Sequence, residues 1–195
     1  MVLLLALLAG LLAGLAWARW HEYQYQVPEL RHLWLAFIAF VPQFLVVYLP
    51  ITRRHFQDWL VVGCLLASQI LLLGFVYLNH RLPGMSILIC GVALNLAVMA
   101  ANSGFMPISP HTASRLVSEG SLLNVQPGNR IGTKDILLRP QDTRFEWLAD
   151  RFLPPTWSPY QVAFSFGDVL IAIGVFWLLA KPGPLNQINK GASIC

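Results

Sequence analysis

The sequence predicts an all-α integral membrane protein with five transmembrane helices and a partly helical extramembrane cap between helices 4 and 5. Three observations carry that expectation. The 195 residues are 56% hydrophobic and only 11% charged, whereas soluble domains carry roughly 25% charged residues. Mean hydropathy is +0.60. The apolar residues also gather in long blocks between polar or Pro/Gly-punctuated connections. An ordinary soluble domain is excluded, and so is a disordered chain, which would lack these aliphatics and aromatics.

The blocks are Val2–Ala18, Leu33–Ile51, Trp59–Leu78, Ser86–Ala101 and Val162–Ala180, all within a single membrane domain spanning 1–195. Crossing the hydrocarbon takes about 20 apolar residues. The second, third and fifth blocks meet that length. Ala16-Trp17-Ala18 gives the first block the look of a signal peptide, but no basic n-region precedes it, so it reads as a helix. The fourth is short and runs straight into Asn102-Ser103-Gly104, which predicts a tilted or partly re-entrant helix. Pro42 should kink the second by removing a backbone hydrogen bond. Trp17, Trp20, Trp34, Trp59, Tyr77, Trp157 and Trp177 lie near block ends, where amphipathic rings favour the interface.

Basic residues set the orientation. One set of short segments holds Arg19, Arg31, Arg81, Lys181 and Lys190; the opposite set holds Arg53 and Arg54. Long connections cross largely regardless of charge, so residues 102–161 are discounted. The bias places the C-terminus in the cytoplasm, with the N-terminus and the cap outside.

The 102–161 connection is too long for a structureless link, and its punctuation predicts a folded cap. Ser109-Pro110 reads as N-cap and first-turn proline of a helix running to Glu119 and stopped by Gly120. Pro127-Gly128-Asn129 reads as a turn. Thr143 and Glu146 match a capping box for a helix over Thr143–Phe152, ended by Pro154-Pro155, with Phe145, Leu148, Ala149 and Phe152 on one face.

Polar side chains inside the blocks are the candidate site. At ~1.5 Å per residue, Gln43, Gln69 and Asn95 fall about 12, 16 and 10 Å below the cap face. With Ser158-Pro159 as the start of the fifth helix, Asp168 falls about 14 Å deep. Four helices would then contribute to one polar layer. Asp168 is the sharpest member, because an ionisable side chain in a spanning helix costs at least ~2.5–3.5 kcal/mol. Its candidate partners are Asn95, Asn102 and a cap cation, Arg130 or Lys134. Gly167 and Gly174 would let another backbone come close. Such a layer is either interhelical glue or a proton, ion or ligand site.

Other chemistry finds no pattern to stand on. Cys64, Cys90 and Cys195 have neither disulfide nor zinc spacing. The histidines, His21, His32, His55, His80 and His111, lie at helix ends or in connections, which disfavours a haem within the membrane. No phosphate-binding loop, dinucleotide fingerprint, zinc-protease motif or nucleophile elbow occurs. The net charge of +4 comes without a basic cluster interleaved with aromatics, so nucleic acid is not an expected partner. Neither a catalytic residue nor a cofactor is assigned; membrane lipids and protein partners are the expected neighbours.

Ala101-Asn102-Ser103-Gly104-Phe105-Met106-Pro107, Gly132-Thr133-Lys134-Asp135 and Phe164-Ser165-Phe166-Gly167-Asp168-Val169-Leu170-Ile171 follow four hydrophobic blocks in order. Together they resemble a family of bacterial multi-pass membrane proteins classed as a domain of unknown function. Its pattern has a second Gly where Ser103 stands, and often Tyr where Phe105 stands. The resemblance implies a bacterial helical membrane protein, directs attention to Asn102, Lys134 and Asp168, and implies no activity. Two functions follow as expectations. One is a non-catalytic membrane subunit in a larger complex, of electron-transfer or light-harvesting type, shaping a lipid or quinone site. The other is a small transporter or membrane enzyme with a proton, ion or ligand site at Asp168 under the cap. With no nucleophile–base pair or metal set to assemble, the first is favoured.

Overall fold

Runs of Leu, Ala, Val and Ile interrupted by a single proline favour backbones closed by their own i to i−4 bonds. In the computed structural model they form α1 (Val2–Trp20), α2 (Leu33–Tyr48), α3 (Asp58–Leu78), α4 (Met85–Ala101) and α6 (Phe166–Ala180), with a short α5 (Pro110–Ser114) in the cap. The structure describes residues 2–22, 24–48, 57–116, 126–131, 134–155, 158 and 161–181, with the backbone alone at 45–48. Expectations placed on Ile51, Arg53, Arg54, His55, Glu119, Gly120, Gly132, Thr133, Trp157, Pro159, Lys190 and Cys195 lie outside the described residues. The chain is mostly helical. Among the described residues two helices, Val2–Trp20 and Asp58–Leu78, are long and apolar enough to cross a membrane; Leu33–Phe44, Met85–Ala101 and Phe166–Ala180 are shorter apolar stretches of helix. Helix α2 runs on through Pro42.

Helix neighbours follow the order α2, α3, α4, α6, α1. Ser68 of α3 donates its hydroxyl to the Ala39 carbonyl, and Asn79 just beyond α3 reaches Arg31 just before α2, so these two helices are antiparallel. Val61 and Leu65 share a cluster with Val98 and Met99, while Phe75 and Val76 meet Met85 and Leu88; α3 and α4 are antiparallel as well. Gly84 faces Gly174, and Gly91 faces Gly167, which makes α4 and α6 antiparallel. Gly10 meets Phe176 and Gly14 meets Leu179, so α1 runs parallel to α6. The cap therefore sits at the end where α4 finishes and α1, α3 and α6 begin.

The α4–α6 seam is a glycine contact. A Cβ on Gly91 would stand 2.7 Å from the Gly167 carbonyl oxygen, and one on Gly174 would stand 2.9 Å from that of Gly84. Backbones this close exclude any side chain, and they gain dispersion along the whole seam.

The cap holds a three-stranded sheet that hydropathy did not announce. Its strands are β1 (Met106–Ile108), β2 (Arg130–Ile131) and β3 (Asp135–Leu137), in the order β1-β3-β2. β1 pairs parallel with β3, matching Met106 to Asp135, and β2 pairs antiparallel with β3. On the other side of β1, the Asp150 amide donates to the Pro107 carbonyl at 3.1 Å. Phe105, Met106, Ile136 and Leu148 enter the same core cluster as Val61 and Val98. Cap and bundle share a core.

Three expectations about helices are corrected. The last helix starts at Phe166, not at Ser158-Pro159, because Ser165 caps it. The helix after Ser109 is only Pro110–Ser114, although Ser109 does cap it through the Thr112 amide. The Thr143–Phe152 helix does not form. Thr143 turns its hydroxyl to the Arg139 carbonyl, and Phe145 is left-handed at φ 57. What remains are 3-10 turns at Pro140–Asp142 and Glu146–Leu148. Leu148 and Ala149 are buried there, while Phe145 and Phe152 are exposed.

The seam makes a paired prediction. Gly91→Ala should lower stability by about 1–3 kcal/mol through overpacking. Gly63→Ala, whose Cβ would meet nothing within 4 Å inside the α3 helix, should leave stability unchanged or raise it by up to about 1 kcal/mol. Thermal unfolding of both variants in one detergent checks it.

Candidate functional site: a buried polar junction between helices and cap

The junction begins with the start of α6. In Ser165-Phe166-Gly167-Asp168 the Ser165 hydroxyl accepts from the Asp168 amide at 3.0 Å, and Asp168 Oδ2 accepts from the Ser165 amide at 3.0 Å. This is a capping box with Asp in the usual Glu position. Asp168 therefore lies in the first turn of its helix rather than about 14 Å beyond the start. Asn95 of α4 closes the group. Its Nδ2 donates to Asp168 Oδ1 at 2.8 Å, and its Oδ1 accepts from the Ser165 hydroxyl at 2.9 Å. Asn95 reaches this position because it lies directly against Gly167, where a Cβ would collide with its amide. Both Asp168 oxygens, both ends of Asn95 and the buried Ser165 hydroxyl are thus satisfied within the protein.

Beside it lies an ionic cluster made by the sheet. Lys134 precedes β3, Asp135 opens β3, and Asp150 flanks β1 from the other side. Lys134 Nζ sits 2.6 Å from Asp150 Oδ2 and 3.6 Å from Asp135 Oδ1. The Asp150 side chain is 0% exposed and that of Lys134 is 34% exposed. Burial pushes the Asp150 carboxyl up to about 7 against the pull of Lys134, and the charges of Asp135 and Asp168 push the same way. Burial also raises Asp135, opposed by Lys134. For Lys134, burial works downward but is outweighed by Asp150, Asp135 and Asp168, which hold the ammonium above its ordinary range. One cation thus faces three acids drawn from the sheet and from α6. Asp150 also borders a cavity of ≈160 Å³ lined by Ser109, His111, Thr112, Glu146 and Arg151.

The other candidates go elsewhere. Asn102, at the end of α4, donates to the Val98 and Arg144 carbonyls at 2.8 and 2.9 Å and accepts from the Arg144 amide at 3.0 Å. It pins the cap backbone rather than joining Asp168. Arg130 donates to Asp58 Oδ1 at 3.1 Å, at the start of α3, and lies 5.9 Å from the Phe105 ring centroid. Gln43 and Gln69 lie on α2 and α3, and neither is hydrogen-bonded to the junction; Gln69 Oε1 is buried with no hydrogen-bond partner among the described residues. The single layer drawn from four helices resolves into one pair, Asn95 with Asp168, plus separate contacts.

Sequence reasoning passed over Asp150 and Asn79. Asn79 follows α3 as Asn102 follows α4. It donates to the Phe75 and Arg31 carbonyls at 2.8 and 2.9 Å and accepts from the Arg31 amide at 2.7 Å. In both clamps the residue after the held arginine is left-handed, His32 at φ 54 and Phe145 at φ 57. That conformation costs roughly 1–2 kcal/mol for a residue with a side chain, so the clamp's three hydrogen bonds offset it. Asn directly after an apolar run was the available signal.

Chemically, the junction can hold helix ends in register and bind or release a proton. Among the described residues no group of three His, Cys, Asp or Glu side chains is placed to hold a metal ion. Asn95→Ala strands Asp168 Oδ1 and the Ser165 hydroxyl, and should cost about 1–3 kcal/mol. Ser165→Ala removes the cap and should cost about 0.5–2 kcal/mol. Because the two share a network, the double variant should depart from additivity by about 0.5–3 kcal/mol. Thermal denaturation of the four proteins measures this.

No curated protein and no solved structure matches the chain. Residues 28–180 do match a family of unknown function, a stretch that takes in α2, α3, α4, the whole cap and α6. That stretch contains both asparagine clamps, the capping box and the ionic cluster, and on it the chain belongs to the DUF5317 family of unknown function.

Proposed function

We propose that this chain is a five-span, non-catalytic subunit of a larger complex in the bacterial inner membrane, shaping a lipid or quinone site beside its partners. One observation carries the reading. The polar side chains of the α4–α6 junction are spent on one another, while large apolar side chains on α1 and on α2 are left exposed. Leu4, Leu12 and Trp20 of α1 and Trp34, Phe37 and Phe40 of α2 are all exposed. Such faces suit hydrocarbon or a partner helix better than water.

The alternating directions of α2, α3, α4 and α6, with α1 parallel to α6, support this reading, since five crossings need those directions. The shorter helices, 17 residues in α4 and 15 in α6, span about 22–26 Å. Local thinning of the bilayer accommodates that length. Arg19, Arg31, Arg81 and Lys181 would lie on the cytoplasmic side and the cap outside. A second reading, a small transporter or membrane enzyme with a proton or ligand site under the cap, is favoured by the excess of acids over Lys134 and by the cavity beside Asp150.

Two measurements test the first reading. Single cysteines at Arg81 and Gly128, in a background with Cys64, Cys90 and Cys195 replaced, should react with impermeant reagent from opposite sides of the membrane. Labelling of both from one side overturns the five-span topology. Mild extraction should yield the chain with stoichiometric partners. A solitary species in which Asp168→Asn stays folded but loses proton or ligand binding overturns the subunit role.

A further inference from the structure

We infer that Asp135 and Asp150 hold one proton between their carboxyl groups, beside Lys134, and that this proton latches the cap sheet to the start of α6. The geometry comes first. The two acids stand on opposite flanks of β1: Asp135 of β3 is paired with Met106, and Asp150 bridges Ile108. Both reach Lys134, which bonds Asp150 Oδ2 but stays 3.6 Å from Asp135. Asp135 Oδ1 and Asp150 Oδ1 are both buried and have no hydrogen-bond partner among the described residues. Two ionised carboxylates offer only acceptors and cannot satisfy each other. A proton on one makes it a donor to the other, and the pair becomes a carboxyl–carboxylate hydrogen bond, short and charge-assisted.

The surrounding charges require the same proton. Lys134 faces the pair from the turn before β3, and Asp168 faces it from the first turn of α6. Around the adjoining cavity stand His111 from α5, with Glu146 and Arg151. Inside the cluster one ammonium meets three acids, and one bound proton halves the excess negative charge. Burial raises both carboxyls, Asp150 to about 7.

The sign follows from linkage. A folded-state value above the ordinary carboxylate value means that stability from the bound proton is complete at acid pH. It is lost as pH rises through about 7. Loss of the proton to water leaves two carboxylates facing each other across β1. Repulsion then pulls at the Asp150 amide's bond to Pro107 and, through the Phe152–Phe164 bridge, at the residue preceding the Ser165 cap.

Hydrogen exchange of the full chain in lipid nanodiscs tests this between about pH 5 and about pH 9, read as protection relative to an unstructured chain at each pH. The amides of Met106, Asp150 and Phe152 should lose protection together in one step centred near 7. Asp150→Asn mimics the protonated acid, since its amide can donate to Asp135 and its oxygen can accept from Lys134, so the step should vanish with protection kept. Asp135→Asn should also abolish it and serves if the first variant does not fold. Asp58→Asn, at the exposed pair with Arg130, should leave it unchanged. An infrared band of protonated carboxyl should disappear across the same step and be absent from both variants. A parent with no step, or a step surviving in both variants, overturns the proposal.

Discussion

The close approach of α4 and α6, locked at its cap end by Asn95, Ser165 and Asp168, is the constraint on which the rest depends. Glycines at 84, 91, 167 and 174 bring the two backbones together, and such a seam has little to fix its register. Apolar faces slide; hydrogen bonds do not. Asn95 donates to Asp168 and accepts from Ser165, so a slip by one turn would strand several buried polar atoms, at about 1–3 kcal/mol each. The same three residues define where α6 begins, and therefore where the cap must deliver the chain.

The cap meets that requirement by sharing core with the bundle and by anchoring its backbone at chosen points. Asn102 holds Arg144, and the left-handed Phe145 then turns the chain so that Leu148 reaches the core beside Val61 and Val98. Asn79 does the equivalent at the opposite end of the bundle, where it holds Arg31 before α2. Side chains thus complete the backbone pairing at both ends. The Lys134 cluster is a different bargain. Desolvating an ion pair costs several kcal/mol per ion, and the cluster's excess of acid makes its stability depend on proton uptake rather than on charge pairing alone.

Apolar runs in the sequence were enough to locate the helices, since 59–78 and 86–101 coincide with α3 and α4 to within a residue. They could not locate the start of α6. Val162, Ala163, Phe164 and Phe166 are apolar whether the helix begins at Ser158 or Ser165, so hydropathy does not mark the start; it is fixed by Ser165, which caps α6 in a box with Asp168 and bonds Asn95. Asp168 and Asn95 carried a readable signal because polar residues in apolar runs are costly. The sheet carried none. Its strands are two or three residues long, too short for alternation to register, and the meeting of Asp135 with Asp150 depends on pairing across β1. The Thr143–Glu146 pattern misled because a capping box is a local preference, and the Asn102 clamp on Arg144 is a tertiary contact that overrides it.

Exchanging the partners of the central lock tests it most directly. In the double variant Asn95→Asp with Asp168→Asn, every hydrogen bond among residues 95, 165 and 168 can still be made, with amide and carboxylate in each other's places. Each single change breaks the match: Asn95→Asp sets two carboxylates face to face, and Asp168→Asn leaves two amides competing for one arrangement. We expect the thermal midpoint to fall in both single variants and to recover most of the loss in the double. A double variant no more stable than the weaker single would show that this contact does not set the register of α4 and α6.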